Sequence, residues 1–464
     1  MREVSQITFK EVKSPELDCT NVPIMLTDET MKLRYDKVIE KMKTEGYDSL
    51  VIYADLEHGS NFEYLVGFIP RFEEALLVVH ADRTNCLVMG NENLNKVSKA
   101  RLDAKPILSS YFSLPNQPME IDLPVKELLI NTGIKENTKV GIVGWKNFTS
   151  KSENNAKIYD IPSYIVDAIK DIVNNDNLID NATRLFIGHK GVRCINNVNE
   201  IEHYEFGASL ASDCMLNAMN TIGLGVKETT IGAKLNSLGQ KNSVVTIATS
   251  GPRFVKANIY PTDKEVELAD TISLTVGYKG GLSSRGGYAV GSENELPEDL
   301  RDYVDVVVKP YYNTVVNWLE NVHCGISGGE LYEMVETVLP KDKYHWSLCP
   351  GHLTADEEWM SSPVYKNSEE LLESGMMFQI DIIPSISGYG GTSAESTVVL
   401  ADQNLREKIK TEAPELYSRI SKRREYLINE LNINLNDDIL PLASTVAYLR
   451  PLLLNKNKAM AVIK

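Results

Sequence analysis

Seven histidines and six cysteines are the side chains best suited to hold a metal or move a proton in this 464-residue chain, and most of them stand alone. Cys19, Cys86, Cys194, Cys214, Cys324 and Cys349 contain no C-x-x-C pair and no framework spacing, so they read as reduced, mostly buried thiols. His58, His80, His189, His203, His323 and His345 lack the spacing of metal ligands and read as surface or core side chains. The seventh histidine closes the phrase Cys349-Pro350-Gly351-His352. An acidic run, Asp356-Glu357-Glu358, follows it and reads as a solvated face. The formal net charge of −16, with no run of Lys and Arg able to override it, disfavours nucleic acid and anionic membrane as partners.

The elements that must position these groups are legible in part. With 464 residues, 43% of them hydrophobic and 24% charged, the chain suits two ordinary globular domains. A helical pattern over 31–43 ends at Gly46 and precedes an apolar strand over 49–53. Further strands are expected over 75–80, 85–89, 128–130 and 139–143, which makes an α/β domain, and the Asn/Asp-rich stretch 174–181 suits a linker or its flank. Two long amphipathic helices follow, over 201–222 and 303–322, each ending near a glycine, Gly223 and Gly325. Strands over 244–248, 271–276, 376–382 and 395–400, with Gly-rich turns between them, give an α+β second domain with helices on one face of an antiparallel sheet. The apolar segments 440–442 and 451–454 are expected to dock on that domain or across a dimer. The charged N-terminus has no apolar stretch of signal-peptide type and no run approaches a membrane span, so a cytoplasmic location is the expectation.

Several phrases of the second half resemble the creatinase/aminopeptidase P family. Ser250-Gly251-Pro252, Tyr260-Pro261-Thr262-Asp263 and Ala269-Asp270-Thr271 are similar to the turn ahead of that family's first catalytic strand, Cys349-Pro350-Gly351-His352 to its Gly-His turn, and Gly375-Met376 to Asp381 with 391–399 to its last two strands. Gly191-Val192-Arg193 with Glu200, and Leu33-Arg34 with Asn61 and Gly67-Phe68 upstream, extend the likeness over nearly the whole chain. The resemblance implies a pita-bread domain over 181–464 with a C-terminal extension, preceded by a smaller creatinase-type α/β domain over 1–180 with an N-terminal extension.

It also implies a dinuclear metal site of two aspartates, one histidine and two glutamates, and this chain departs from it. The first aspartate position holds Thr275; the second, expected in a turn over 284–287, holds Gly286, or Arg285 if the gap is one residue shorter. His352 stands at the histidine position, Asp381 at the first glutamate and Glu395 at the second. Asn258 and Trp359 replace two further histidines, and Ser393 replaces an arginine. One histidine and two carboxylates suffice in number for a single zinc or manganese ion with an open position. Asp381 is short by one methylene, roughly 1.3–1.5 Å, where metal sites tolerate about 0.2 Å. Without metal, the same three groups can bind and shuttle protons, as in creatinase-like chemistry on a carbon–nitrogen bond.

The expected function is therefore that of a divergent hydrolase of a small amide or Xaa-Pro-type peptide, with His352, Asp381 and Glu395 as catalytic residues and as ligands of one divalent metal or of none. Asn258, Trp359 and Arg71 are its substrate-side candidates. Trp359 reads first as a packing ring, and Arg71 as a solvated arginine that in a homodimer could reach the neighbouring subunit's pocket. The alternative is a catalytically inactive pita-bread domain that binds a peptide or small molecule.

Overall fold

In the computed structural model, which describes residues 1–117, 122–252 and 260–464, the first helix begins where its sequence caps it. Thr27 accepts a hydrogen bond from the Thr30 amide, Asp28 and Glu29 sit in the positive first turn, and Gly46 ends Asp28–Glu45 in the left-handed conformation at φ 72°. The chain divides into two units, Leu26–Cys194 and a larger one made of Met1–Met25 with Ile195–Lys464. The first 25 residues thus belong with the second half of the chain, where strand β1 (Ile7–Glu11) pairs with the last strand near the C-terminus.

Within the smaller unit the described residues form a six-stranded mixed sheet of β2 (Ser49–Ala54), β3 (Ala75–His80), β4 (Asn85–Met89), β5 (Lys105–Leu108), β6 (Val140–Val143) and β7 (Ile179–Asn181), ordered β5-β4-β3-β2-β6-β7. Its central strands are buried on both faces, which explains their unbroken apolar runs. Two expectations fail here. Residues 128–130 lie in a helix, Val125–Asn131, which buries Leu128 and Leu129; so short an apolar run has no period of its own. The polar stretch 174–181 ends in β7, parallel to β6, because Ile179 finds a buried place at the sheet edge.

The larger unit holds two antiparallel four-stranded sheets. One contains β8 (Ile247–Ser250), β9 (Thr271–Tyr278), β10 (Gly281–Tyr288) and, after β11 (Ser347–Leu353) and β12 (Met377–Ile383) of the other, β13 (Ser393–Glu395). β14 (Thr397–Leu400) and β15 (Ile439–Pro441) complete the second sheet, and β16 (Lys458–Val462) pairs with β1. Residues 284–287, expected as a turn, are the body of β10, and the turn lies earlier at Lys279-Gly280. The helix Val198–Thr221, capped by the reciprocal Asn197 and Glu200 bonds, crosses this hairpin closely. A Cβ on Gly207 would lie 1.8 Å from the Lys279 carbonyl, and one on Gly280, whose φ is 100°, would lie 2.1 Å from the Tyr204 carbonyl. The C-terminal segments dock within this unit, as β15 on β14 and through Pro451 and Leu453 hydrogen-bonded to Tyr288. Among the described residues no helix is long and apolar enough to cross a membrane.

Candidate functional site

The chain passes from one sheet of the larger unit to the other within three residues, Glu395-Ser396-Thr397, and the candidate site forms at that crossing. Glu395, at the end of β13, pairs with Ser284 of β10, while Thr397, which opens β14, pairs with Gln379 of β12. Gln379 ties the sheets together: it donates to the Leu282 carbonyl at 3.1 Å and accepts from the Thr397 hydroxyl at 3.1 Å. Asp381 stands two residues beyond Gln379 and so faces the same side. The ladder between β11 and β12 slips between Cys349 and His352, where Pro350 has no amide to give; the bulge aims His352 toward Asp381. The Pro350 carbonyl is held by the indole of the buried Trp318 at 2.7 Å, and the Gly351 carbonyl by Ser362 at 2.8 Å.

His352, Asp381 and Glu395 each offer a ligand atom within 4.8 Å of the others, and all three are buried. His352 Nδ1 lies 3.4 Å from the Leu353 carbonyl, so the tautomer with its hydrogen on Nδ1 has an acceptor there and turns the Nε2 lone pair to the cluster. Asp381 Oδ2 is 3.8 Å from Nε2. Asp381 Oδ1, Glu395 Oε1 and His352 Nε2 have no hydrogen-bond partner. Burial, more than any neighbour, pushes the Asp381 carboxyl up to about 7, with His352 pulling it down and Glu358 pushing it further up. Glu395 is raised well above the usual carboxylate range, first by burial, then by the Asp381 and Glu358 charges, against the pull of Arg285.

Glu358 was missed by the sequence reading. Its Oε1 lies 3.1 Å from His352 Nε2, too far out of line for a hydrogen bond, and its side chain is 17% exposed. The acidic run is therefore not a uniformly solvated face. Asp356 is buried, accepts from the Tyr204 hydroxyl at 3.0 Å and lies 3.7 Å from Lys279, which anchors the loop that presents Glu358. The only available signal was position: three acids a few residues after a Gly-His phrase. Trp359 also departs from its expectation. It is 44% exposed rather than packed, and its ring stacks on the His352 imidazole with centroids 4.1 Å apart.

The two former aspartate positions are now distinguishable. Ser284 stands opposite both Thr275 and Glu395, so Gly286, two residues along, shares their face, and Arg285 points to the other side. The Arg285 guanidinium, pushed down to about 10 mainly by burial, donates to the carbonyls of Tyr448, Ser284, Glu395 and Thr445 and to the Ser396 hydroxyl. Thr275 donates to the Ser284 hydroxyl at 3.2 Å. Neither Thr275 nor Gly286 brings a charge, so the residues do not fit two divalent ions side by side. They do fit one: ligands about 2.0–2.2 Å from zinc lie roughly 3.3–3.6 Å from each other. The shorter Asp381 meets that spacing nearly, and the widest pair, at up to 4.8 Å, has to close by a little over about 1 Å.

Asn258 lies outside the described residues. Arg71 belongs to the smaller unit, where it is exposed, with its guanidinium 4.6 Å from the Phe72 ring centre and its amide bonded to Asn93. His80 bonds Ser49 and the Thr132 carbonyl, and His203 the Ile24 carbonyl, as fillers do. All six cysteines are free thiols.

No protein-family model matches the chain. It is 24% identical over 335 residues to the Xaa-Pro dipeptidase of Pyrococcus furiosus, covering 67% of this chain and 92% of that protein. It is also 24% identical over 237 residues to the Xaa-Pro dipeptidase of Pyrococcus horikoshii, covering 48% and 64%. Among solved structures it resembles a dipeptidase from Mycobacterium ulcerans, with a TM-score of 0.62 at 14% identity over 81% of this chain and 94% of the other. A prolidase from Thermococcus sibiricus gives 0.60 at 16% identity over 80% and 95%.

Proposed function

Because this chain belongs to the creatinase/aminopeptidase P family and has its pita-bread fold, we propose that it hydrolyses a carbon–nitrogen bond in an Xaa-Pro-type peptide or small amide through a centre reduced to one cation. The observation that carries this reading is the buried cluster of His352, Asp381 and Glu395, each with a ligand atom within 4.8 Å of the others and each with one side-chain atom lacking a hydrogen-bond partner. Buried polar atoms without partners are costly, and three such side chains gathered in one place favour a ligand that they share.

His352, Asp381 and Glu395 would hold the ion, zinc or manganese, which when bound supplies Lewis acidity and an activated water. The chain's own contribution is proton management and shape. In the metal-free protein the buried Asp381 carboxyl is raised and holds a proton that it gives up when the ion binds, and the imidazole is fixed by the Leu353 carbonyl. Trp359 flanks the pocket and Asn258 is assigned to the substrate, since an amide can hold a carboxylate or carbonyl. A homodimer, with Arg71 reaching its partner's pocket, belongs to the same proposal.

The absent carboxylates at Thr275 and Gly286 favour a second reading, a binding domain for a peptide or small molecule without turnover. Metal analysis of protein purified without chelator, with Xaa-Pro dipeptides and creatine-like amides as substrates, separates the two. One equivalent of metal and cleavage that both disappear in His352→Ala support hydrolysis. Binding of Xaa-Pro peptides with no cleavage over long incubation, metal supplied, leaves only the second.

A further inference from the structure

The geometry points to Glu358 as a fourth ligand of this cation site, supplying from a loop the carboxylate that Thr275 and Gly286 do not. It deepens the one-cation reading and rests on it. With the ring hydrogen on Nδ1, directed at the Leu353 carbonyl, two acceptors face each other across 3.1 Å, His352 Nε2 and a Glu358 carboxylate oxygen. Such a pair repels unless a proton or a metal cation stands between or beside it. The 3.1 Å from His352 is close to the roughly 3.3–3.6 Å between neighbouring ligands on one tetrahedral ion, while Glu358 stands outside the 4.8 Å group of the other three and has to swing toward Asp381 and Glu395 to complete the shell.

Glu358 does not arrive there by the drift of a loose side chain. Its loop is closed by backbone bonds from Ala355 to the Glu357 carbonyl and from Met360 to the Leu353 carbonyl, and fastened to the hairpin by the Gly280 amide on the Ala355 carbonyl. The buried Asp356, with Tyr204 and Lys279, pins the same loop two residues away. The second, independent indication of a ligand comes from the strands: His352, Asp381 and Glu395, no more than 5% exposed, cluster with one ligand atom each within 4.8 Å of the others, and His352 Nε2, Asp381 Oδ1 and Glu395 Oε1 are unpartnered. Three carboxylates and one imidazole offset a divalent charge with one negative charge to spare, which suits a site that must compete for its ion without two aspartates.

Calorimetric titration of chelator-stripped full-length protein with zinc, and separately with manganese, tests this. Wild type is expected to bind one equivalent, His352→Ala none, Glu358→Gln one equivalent with affinity at least tenfold weaker, and Glu357→Gln one equivalent with unchanged affinity. Glu358→Asp, which keeps the charge, is expected between wild type and Glu358→Gln; it also serves if the glutamine variant fails to fold. Affinity of Glu358→Gln and Glu358→Asp within twofold of wild type, with His352→Ala still unable to bind, overturns the role of Glu358 and leaves the one-cation site standing. Wild type that binds neither metal overturns both, and tighter binding by Glu358→Gln also overturns it, because Glu358 would then be a competitor for the position.

Discussion

Two clusters of buried charge lie in the larger unit, and they are built on opposite plans. In the first, Glu205, 1% exposed at its side chain, is gripped by Arg423 at 2.6 Å and Arg419 at 2.8 Å, while Arg423 takes Asp18 of the N-terminal segment at 2.6 Å. In the second, Asp381, Glu395 and Glu358 surround His352, and the Arg285 guanidinium is spent on carbonyls and a hydroxyl behind the sheet. Burial raises both sets of carboxyls. For Glu205 the two arginines reverse it and hold the group below its ordinary range, whereas Asp381 and Glu395 stay raised. The paired cluster fastens residues of the chain's first segment to its last long helix, and the unpaired one retains a costly arrangement that only a ligand relieves.

The same substitution applied to both clusters sharpens the contrast most. Glu205→Gln leaves Arg423 buried and short of a counter-charge, and is expected to cost the larger unit about 3–5 kcal/mol in urea denaturation. Glu395→Gln removes a buried acid whose charged form burial and its neighbours oppose, and in metal-free protein is expected to raise stability by about 1–2 kcal/mol at alkaline pH while abolishing metal uptake. A comparable loss in both variants would break the distinction, since Glu395 would then be paired as Glu205 is.

The pH dependence should also run in opposite directions. Asp381 binds its proton more tightly folded than unfolded, so its contribution is fully present below about pH 4 and is lost as the pH rises through about 7. Glu205 is lowered, so its contribution is present above about pH 4.3 and is lost as the pH falls through its folded value. Facing Asp381 are His352, Glu358 and Glu395, with Arg285 behind. From Asp381 alone, metal-free protein is expected to lose roughly 2–3 kcal/mol between pH 5 and pH 8 in denaturant titrations, with the raised Glu395 adding to the fall, and Asp381→Asn to make the slope shallower. A slope as steep in Asp381→Asn as in wild type would place the proton elsewhere.

What the sequence disclosed follows the same division. Long periodic elements and their caps were legible, as at Thr27 and Gly46 or Asn197 and Glu200, because local chemistry sets them. His352, Asp381 and Glu395 were found through the family phrases and do converge. Glu358 and Trp359 were not recognised for what they are, since their roles depend on a loop held by Asp356, Tyr204 and Gly280 from distant parts of the chain. The strand nature of 284–287 was missed because Gly286 and Gly287 read as a turn; their lack of side chains instead admits close neighbours, the Gly391 and Pro451 carbonyls lying 3.1 and 2.3 Å from where a Cβ would stand.

Trp359 gives the smallest expected effect and the finest division between a site and a core. A ring stacked on His352 but 44% exposed contributes to stability only on the order of 0.5–1.5 kcal/mol. Trp359→Ala is therefore expected to unfold within about 1.5 kcal/mol of wild type. Its larger effect should be on access, because the imidazole beneath the indole is fully buried. Carbethoxylation by diethyl pyrocarbonate, followed by mass spectrometry on the peptide that carries His352, is expected to run several-fold faster in the variant, and Trp359→Phe to restore most of the protection. Unchanged reactivity at His352 would mean that Glu358 and the surrounding strands shield the ring without the indole.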